Sequence, residues 1–299
     1  MPRKVGIIHS GSDGANHPHG KQIKALKDGL DFAAGANVPI DSHFADDKPS
    51  NLTNDARNLV GNPDVVVLVA AGGSESSRRA KAETTTKAIV FTSVSDPARP
   101  AANVTGICAR TSVLDAARLN LLHELLPNET KFGALVNPSR FNITELKQNL
   151  ASAAALLGLQ APDYKDVDPG NDPKTQIDQA FQAWNGNVKA TLVTADPLFN
   201  NHRDDVIQAA KANNISAIYQ WREFADQGGL MSYGPNLTVA YKLAGYYAGR
   251  IFSGAVAVVD LPVLPLSSVE FVINLKTAKE LGLTIPPLLL ARVNDVIFA

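Results

Sequence analysis

Two short loops rich in glycine and serine are the first residues of the chain whose types suit ligand binding. One loop contains Ser10 and Ser12 and follows the apolar run 5–8, and the other contains Gly73 and Ser74. Glycine lets backbone N–H groups approach a ligand closely, and a helix that begins near Ser74 presents its positive end. A carboxylate is the anion that such loops suit. The alternative is structural, because glycine in tight turns and serine as a helix cap are common in α/β folds.

Three further polar residues stand in an Asp-Pro or Asn-Pro step at the end of an apolar run. They are Asp96, Asn137 and Asp196, and Ser93 and Ser95 come just before the first of them. Ligands of open α/β sheets bind beyond the carboxyl ends of the strands, so we expect these five side chains to contact a ligand. The alternative role is capping, because Asp or Asn suits the N-cap and proline suits the first helical position.

An aromatic cluster follows the apolar run 217–219. Tyr219 offers a ring with a polar tip, which can stack on a flat ligand, although such clusters more often pack in a core. Glu223 adds a carboxylate that, with Asp196, can face an amino group. We therefore predict ligand contacts at Tyr219 and Glu223.

Signals for catalysis are weaker than signals for binding. His17 and His19 form a His-x-His pair without a further run of metal ligands, and the sequence around Cys108 carries no signal for a paired base. The sequence lacks the glycine signatures of dinucleotide and phosphate-loop sites and the Gly-x-Ser-x-Gly signature of serine hydrolases. We expect a binding protein that is not an enzyme, with no cofactor and no metal.

Composition limits the partners and the compartment. The 28 Lys and Arg residues nearly cancel the 29 Asp and Glu residues, which argues against a nucleic-acid partner. Apolar runs such as residues 64–71 have the length of buried strands and fall short of the ~18 residues of a membrane span, so we expect no direct membrane insertion. The sequence starts at Met1 without an export leader, which leaves a cytosolic protein or an exported protein whose leader has been removed.

Short apolar runs alternate with segments of helical spacing through most of the 299 residues. Residues 21–33, for example, place Ile23, Leu26 and Leu30 on one face of a helix. Strands that alternate with helices predict parallel sheets covered on both faces, which is the α/β class. The chain length allows about two domains.

The alternation breaks at three extended stretches, at residues 103–108, 229–235 and 261–265. We interpret them as three crossover strands that join two doubly wound parallel-sheet lobes. The alternative is two sequential domains with one linker near residue 128, but no Gly/Ser/Pro-rich linker occurs in the middle of the chain.

The crossovers divide each predicted lobe into separate pieces of chain. The N-terminal lobe comprises residues 1–108 plus 235–262, and the C-terminal lobe comprises residues 109–234 plus 263–299. We expect the ligand cleft between the two lobes, with the carboxyl ends of the strands facing it.

Six segments, distributed over nearly the whole chain, form an ordered set. They are Ser95-Asp96-Pro97, Asn103-Val104-Thr105-Gly106, Val136-Asn137-Pro138, Ala217-Ile218-Tyr219-Gln220-Trp221-Arg222-Glu223-Phe224, Gly228-Gly229-Leu230-Met231-Ser232-Tyr233-Gly234 and Val272-Ile273-Asn274-Leu275-Lys276-Thr277-Ala278-Lys279. In this order they resemble the ABC transporter substrate-binding proteins of the tryptophan/tyrosine-type family.

This resemblance implies a type I periplasmic binding protein fold, in which two lobes close on a ligand about a hinge and deliver it to ABC permease subunits. Members of the family are exported, which favours a periplasmic protein whose leader has been removed. Its better-understood members bind aromatic amino acids, so we expect a small carboxylate-bearing metabolite, either an amino acid or an aromatic acid. A ligand-sensing domain and a small-molecule enzyme that use the same cleft remain as alternatives.

Overall fold

The computed structural model describes residues 2–11, 20–46, 48–94, 101–140 and 142–298, and the structural statements below concern these residues. The strands are β1 (Lys4–His9), β2 (Ile40–Phe44), β3 (Val65–Ala71), β4 (Ala88–Val94), β5 (Val104–Cys108), β6 (Gly133–Val136), β7 (Asp163–Asp166), β8 (Ala190–Val193), β9 (Ser216–Tyr219), β10 (Met231–Pro235), β11 (Leu264–Pro265), β12 (Val269–Asn274) and β13 (Asp295–Ile297).

Helices connect most of these strands. They are α1 (Gly20–Ala34), α2 (Pro49–Gly61), α3 (Ser74–Glu83), α4 (Asp115–Leu125), α5 (Ile143–Leu156), α6 (Pro173–Trp184), α7 (Pro197–Asn201), α8 (Arg203–Ala212), α9 (Arg222–Asp226), α10 (Leu237–Phe252), α11 (Leu275–Glu280) and α12 (Pro287–Leu290). Short 3-10 helices cover Thr111–Leu114 and Val258–Asp260. Among the described residues, no helix is both long and apolar enough to cross a membrane.

The chain divides into two compact units. Unit 1 comprises Met1–Arg110 with Leu237–Ser267, and unit 2 comprises Thr111–Asn236 with Ser268–Ala299. The polypeptide therefore passes from one unit to the other three times, and each unit is assembled from pieces of chain that are far apart in sequence.

Unit 1 is built on a parallel sheet in the order β11-β5-β4-β3-β1-β2. The central strand β3 is an apolar run that is buried almost throughout, as expected for a parallel strand with helices on both faces. Helices α1 and α10 pack tightly together, and a Cβ at Gly245 would collide with the backbone oxygen of Leu26. Glycine at this position therefore allows the two helix backbones to approach closely.

Unit 2 is built on a sheet in the order β13-β12-β10-β9-β8-β6-β7. All its pairs are parallel except β10 with β12, which run antiparallel. Leu119 and Leu122 of α4 pack with Ile218 and Met231 in the core of this unit. The predicted α/β class, with a mainly parallel sheet in each of two lobes, is confirmed, and β12 is the departure from a wholly parallel arrangement.

Candidate functional site

In unit 1, three neighbouring strands end at the same edge of the sheet. Strands β4, β3 and β1 are adjacent and parallel, so the residues that follow Val94, Ala71 and His9 come from one edge. This is the carboxyl edge, where ligands of open α/β sheets bind. The predicted site residues of unit 1 all follow or end these three strands.

The loop after β1 is hydrogen-bonded to the loop after β3. The hydroxyl of Ser10, which is buried, donates to the backbone oxygen of Gly72 at 2.8 Å. Gly72 has a φ of 84°, and a Cβ there would collide with Ser10 Oγ. Only glycine combines this backbone conformation with so close an approach of Ser10.

Helix α3 begins directly after this contact. Gly73 is its N-cap with a φ of 114° and makes no side-chain capping bond, and Ser74 is the first helical residue. Both are partly buried. The backbone N–H groups of the first turn point out of the helix here, which is the arrangement that attracts anions.

Glu75 in the same turn is tied to arginines. Arg78 Nη2 and Arg79 Nε each lie 2.6 Å from its Oε1. Burial alone would raise the pKa of Glu75, but the hydrogen bonds from Arg78 and Arg79 outweigh it and hold the pKa below its ordinary value. This carboxylate is therefore charge-paired within its own helix.

Ser93, the penultimate residue of β4, has a backbone conformation that is unusual for serine. Its φ is 48°, it is buried, and its hydroxyl lies 3.5 Å from the hydroxyl of Thr92. The pairing of β4 with β5 also shifts register between Phe91 and Val94. Positive φ in residues other than glycine and irregular strand ends are both enriched at functional sites. Of the other predicted contacts in unit 1, Ser12, Ser95 and Asp96 lie outside the described residues.

In unit 2, the structure brings Asn137 and Asp196 together. Asn137 follows β6 and Asp196 follows β8, and the Nδ2 of Asn137 donates to Oδ1 of Asp196 at 3.1 Å. The same Oδ1 accepts from the backbone N–H of Leu198 at 3.0 Å, so Asp196 also caps α7. Both the ligand-contact and the capping interpretation of Asp196 are compatible with this position at the carboxyl edge of the sheet.

Tyr219 and Glu223 lie in different surroundings. The ring of Tyr219 stacks on Phe224 with the ring centroids 4.6 Å apart, the residue is 1% exposed, and burial raises the pKa of its hydroxyl. Tyr219 also lines a small surface pocket with Lys211. Glu223 is partly buried in the first turn of α9 and interacts electrostatically with the buried Arg203, whose pKa burial lowers.

A buried ion pair in unit 2 was not predicted from the sequence. Arg118 and Asp115, both on α4, are hydrogen-bonded to each other, and Arg118 Nε donates to the backbone oxygen of Tyr233 at 2.7 Å. Burial raises the pKa of Asp115 and lowers the pKa of Arg118. An Asp-x-x-Arg spacing usually indicates an exposed helical ion pair, so the sequence carries no signal for this burial.

Gln220, which directly follows β9, was also missed. It is fully buried, and among the described residues neither atom of its side-chain amide has a hydrogen-bond partner. Strand alternation places its side chain on the opposite face from Tyr219. The alternation of side chains along a strand could therefore have shown from the sequence that Tyr219 and Gln220 face different sides of the sheet.

The model of the ABC transporter substrate-binding protein family matches residues 7–297 of the chain. The chain belongs to this family. The fold of this substrate-binding protein is that of a type I periplasmic binding protein, as three solved structures indicate.

The first is a conserved domain protein from Vibrio cholerae, with a TM-score of 0.82 and 24% identity over 99% of this chain and 100% of that one. The second is an ABC domain from Streptococcus pneumonia in complex with L-Trp, with a TM-score of 0.83 and 22% identity over 98% and 100%. The third is a ligand-free, open substrate-binding protein with adhesive properties from Clostridium difficile, with a TM-score of 0.67 and 21% identity over 99% of each chain.

No curated protein matches the chain in sequence. Within the part of the chain that the structure describes, no group of three or more His, Cys, Asp or Glu side chains is arranged to hold a metal ion.

Proposed function

We propose that this substrate-binding protein is the extracytoplasmic component of an ABC importer and captures a small carboxylate-bearing metabolite, either an amino acid or an aromatic acid. The observation that carries the proposal is the start of α3. There Gly73, which as glycine has no side chain, and Ser74 place backbone N–H groups near the loop that contains Ser10. A ligand carboxylate satisfies such N–H groups and interacts favourably with the helix dipole.

The polar groups of unit 2 suit the other end of an amino acid. Asp196, supported by Asn137, and Glu223 offer carboxylates that can face an ammonium group. In the proposed mechanism, the ligand stabilises a closed state of the protein only to the extent that it binds that state better than the open one. Small-angle X-ray scattering that shows compaction of the protein on ligand addition supports this part of the proposal.

The energy required is within reach of a few contacts. Micromolar affinity corresponds to about 8.2 kcal/mol. Each hydrogen bond to a charged group contributes about 1.5–3 kcal/mol. Two or three such bonds and one buried apolar group are therefore sufficient.

One similar structure holds an amino acid, but the shared fold does not by itself determine whether the ligand is an acid. The relative from Streptococcus pneumonia is a complex with L-Trp. Binding proteins of the same fold hold myo-inositol, at 12% identity, and 5-methylthioribose, at 13% identity. The choice of a carboxylate therefore depends on the residues of this chain, above all on Gly73 and Ser74, and Asp196 concerns the ammonium group of an amino acid.

A binding screen tests the ligand class. We expect amino acids or aromatic acids to raise the melting temperature of the purified protein, and isothermal titration calorimetry to give the affinity of each hit. Stabilisation by a sugar or a nucleoside with no response to any acid contradicts the carboxylate assignment. Chemical conversion of the bound compound during incubation would show an enzyme instead.

A pair of serine variants tests the start of α3. Ser74→Ala should weaken binding of the best acid by about 1–3 kcal/mol, because a ligand hydrogen bond is lost. Ser253→Ala, which removes an exposed serine after α10 in the same unit, should leave binding unchanged. Equal affinity of the two variants would limit Ser74 to a structural role.

The proposed compartment is the periplasm and the proposed partners are ABC permease subunits. Family membership supports both, because a substrate-binding protein of an ABC transporter delivers its ligand to a permease. Fractionation of native cells tests the compartment, and recovery of the protein in the cytosolic fraction alone contradicts it.

A further inference from the structure

A buried histidine and tyrosine connect the two loops at the carboxyl edge of the unit 1 sheet. His9 is the last residue of β1 and is fully buried, and Tyr241 lies on α10 and is 1% exposed. The Nε2 of His9 lies 3.0 Å from the hydroxyl oxygen of Tyr241. Their rings are 6.3 Å apart, and the ring of Phe44 covers His9 at 5.5 Å.

Two backbone N–H groups determine how this pair is hydrogen-bonded. The N–H of Gly11 donates to Nδ1 of His9 at 2.9 Å, so Nδ1 carries no proton. The ring proton is then on Nε2, which donates to the oxygen of Tyr241. The N–H of Gly72 donates to the same oxygen at 3.0 Å. The continuous chain Gly11–His9–Tyr241–Gly72 thus joins the loop after β1, helix α10 and the loop after β3.

Both backbone polar groups of Gly72 are engaged in this arrangement. Its N–H donates to Tyr241 and its carbonyl oxygen accepts from Ser10. The peptide planes on either side of Gly72 are therefore held in place, and the chain enters α3 two residues later. The orientation of Gly73 and Ser74 relative to Ser10 depends on these bonds.

We propose that His9 and Tyr241 are positioning residues for ligand binding, which hold the two loops of unit 1 in their binding arrangement before a ligand arrives. Loops that are already ordered lose less conformational entropy on binding, which raises affinity without any direct contact to the ligand. The effect on affinity rests on the proposed function, whereas the ordering of the loops can be measured without a ligand.

Tyr241→Phe is the informative variant, because it removes one hydroxyl and keeps the buried ring. Tyr247→Phe is its matched control on the same helix. The hydroxyl of Tyr247 donates to the backbone oxygen of Pro262 at 3.2 Å, and the residue is similarly buried. A general loss of packing or stability affects both variants, whereas a positioning role predicts a difference between them.

The first experiment uses ligand-free protein and nuclear magnetic resonance. In the wild type we expect the ring nitrogen shifts of His9 to report a proton on Nε2 alone and the amide of Gly72 to exchange slowly. Tyr241→Phe should speed exchange of the Gly72 amide by about tenfold, which corresponds to loss of one hydrogen bond of about 1.4 kcal/mol. Tyr247→Phe should leave that exchange unchanged. A proton on Nδ1, or equal exchange in wild type and Tyr241→Phe, overturns the proposal.

The second experiment measures binding of L-tryptophan by calorimetry. We expect Tyr241→Phe to weaken it by about tenfold and Tyr247→Phe to change it by less than about twofold. His9→Gln, which keeps an N–H donor towards Tyr241, should retain more affinity than His9→Leu. Wild-type affinity in Tyr241→Phe, together with faster Gly72 exchange, would also overturn the proposal. Failure of the wild type to bind L-tryptophan excludes that amino acid as the ligand, and the ligand-free exchange then decides the positioning role by itself.

Discussion

Asn137 donates its side-chain N–H to Asp196 Oδ1 at 3.1 Å, although the two residues are 59 positions apart in the sequence. The contact exists because β6 and β8 are neighbours in the sheet and end at the same edge. Asp196 Oδ1 also accepts from Leu198 at the start of α7. The carboxylate of Asp196 thus caps α7 and is also a candidate for ligand contact. Two substitutions of Asp196 separate the capping role from the binding role.

Asp196→Asn should keep the fold and weaken amino-acid binding. Asparagine retains an oxygen that can cap α7, so the melting temperature should stay near that of the wild type. Loss of the negative charge should cost about 1.5–3 kcal/mol in affinity for L-tryptophan, and much less for indole-3-propionate, which has no ammonium group. Calorimetric titration with the two compounds checks this difference.

Asp196→Ala should lose the cap as well, at a further cost of about 1 kcal/mol in stability. Asp172→Ala removes the cap of α6, where Asp172 accepts from the backbone N–H of Thr175, and should not affect binding. Equal loss of affinity for both compounds in Asp196→Asn would refute a contact with the ammonium group.

Gly72→Ala in unit 1 should destabilise the protein more than Gly158→Ala in unit 2. Both glycines have positive φ, 84° and 71°, so alanine costs about 1–2 kcal/mol of backbone strain at either. At Gly72 the added Cβ also collides with Ser10 Oγ, whereas at Gly158 it meets open space. Urea unfolding should therefore show a larger loss of stability for Gly72→Ala. Losses of the same size would mean that the contact with Ser10 adjusts without cost.

Arg118→Met should strongly destabilise unit 2. The variant leaves the buried Asp115 without its cation, which costs about 3–5 kcal/mol, whereas Arg118→Met combined with Asp115→Leu should cost less. Burial raises the pKa of Asp115, so the folded variant binds a proton more tightly than the unfolded chain. The destabilisation should therefore grow as pH rises from the pKa of Asp115 in the unfolded chain to its higher pKa in the folded variant, and it should shrink in acid. Urea unfolding at several pH values checks this, and a double variant less stable than Arg118→Met would contradict it.

Glu75→Gln should reduce the loss of stability in acid. Burial tends to raise the pKa of Glu75, but Arg78 and Arg79 hold it below its ordinary value, so its contribution is present above the unfolded pKa and is lost as pH falls through the folded one. Because the carboxylate is 34% exposed, we expect less than about 1 kcal/mol. Unfolding curves at neutral and acidic pH should differ less in the variant than in the wild type. Identical acid losses in both proteins would argue against this contribution.

Local patterns in the sequence were sufficient to predict the fold class. They were also sufficient to predict that polar residues collect at the carboxyl edge of each sheet. The apolar run of β3 predicts a strand buried on both faces, and Asp196 before Pro197 predicts a helix cap, which the structure confirms. Such features depend on residues within a few positions of each other. Periodicity and turn chemistry report those positions directly.

Other features depend on tertiary neighbours that no local pattern specifies. The hydroxyl of Tyr241 meets Gly72 across 169 positions because α10 packs on the unit 1 sheet, and the sequence around Tyr241 indicates only an apolar helix face. The burial of Arg118 and the stacking of Tyr219 on Phe224 likewise follow from packing in unit 2. Glycine- and serine-rich loops were predicted from the sequence as a place for a ligand. Only the tertiary structure decided which distant side chains hold those loops, because strand order and helix packing bring together residues that the chain keeps far apart.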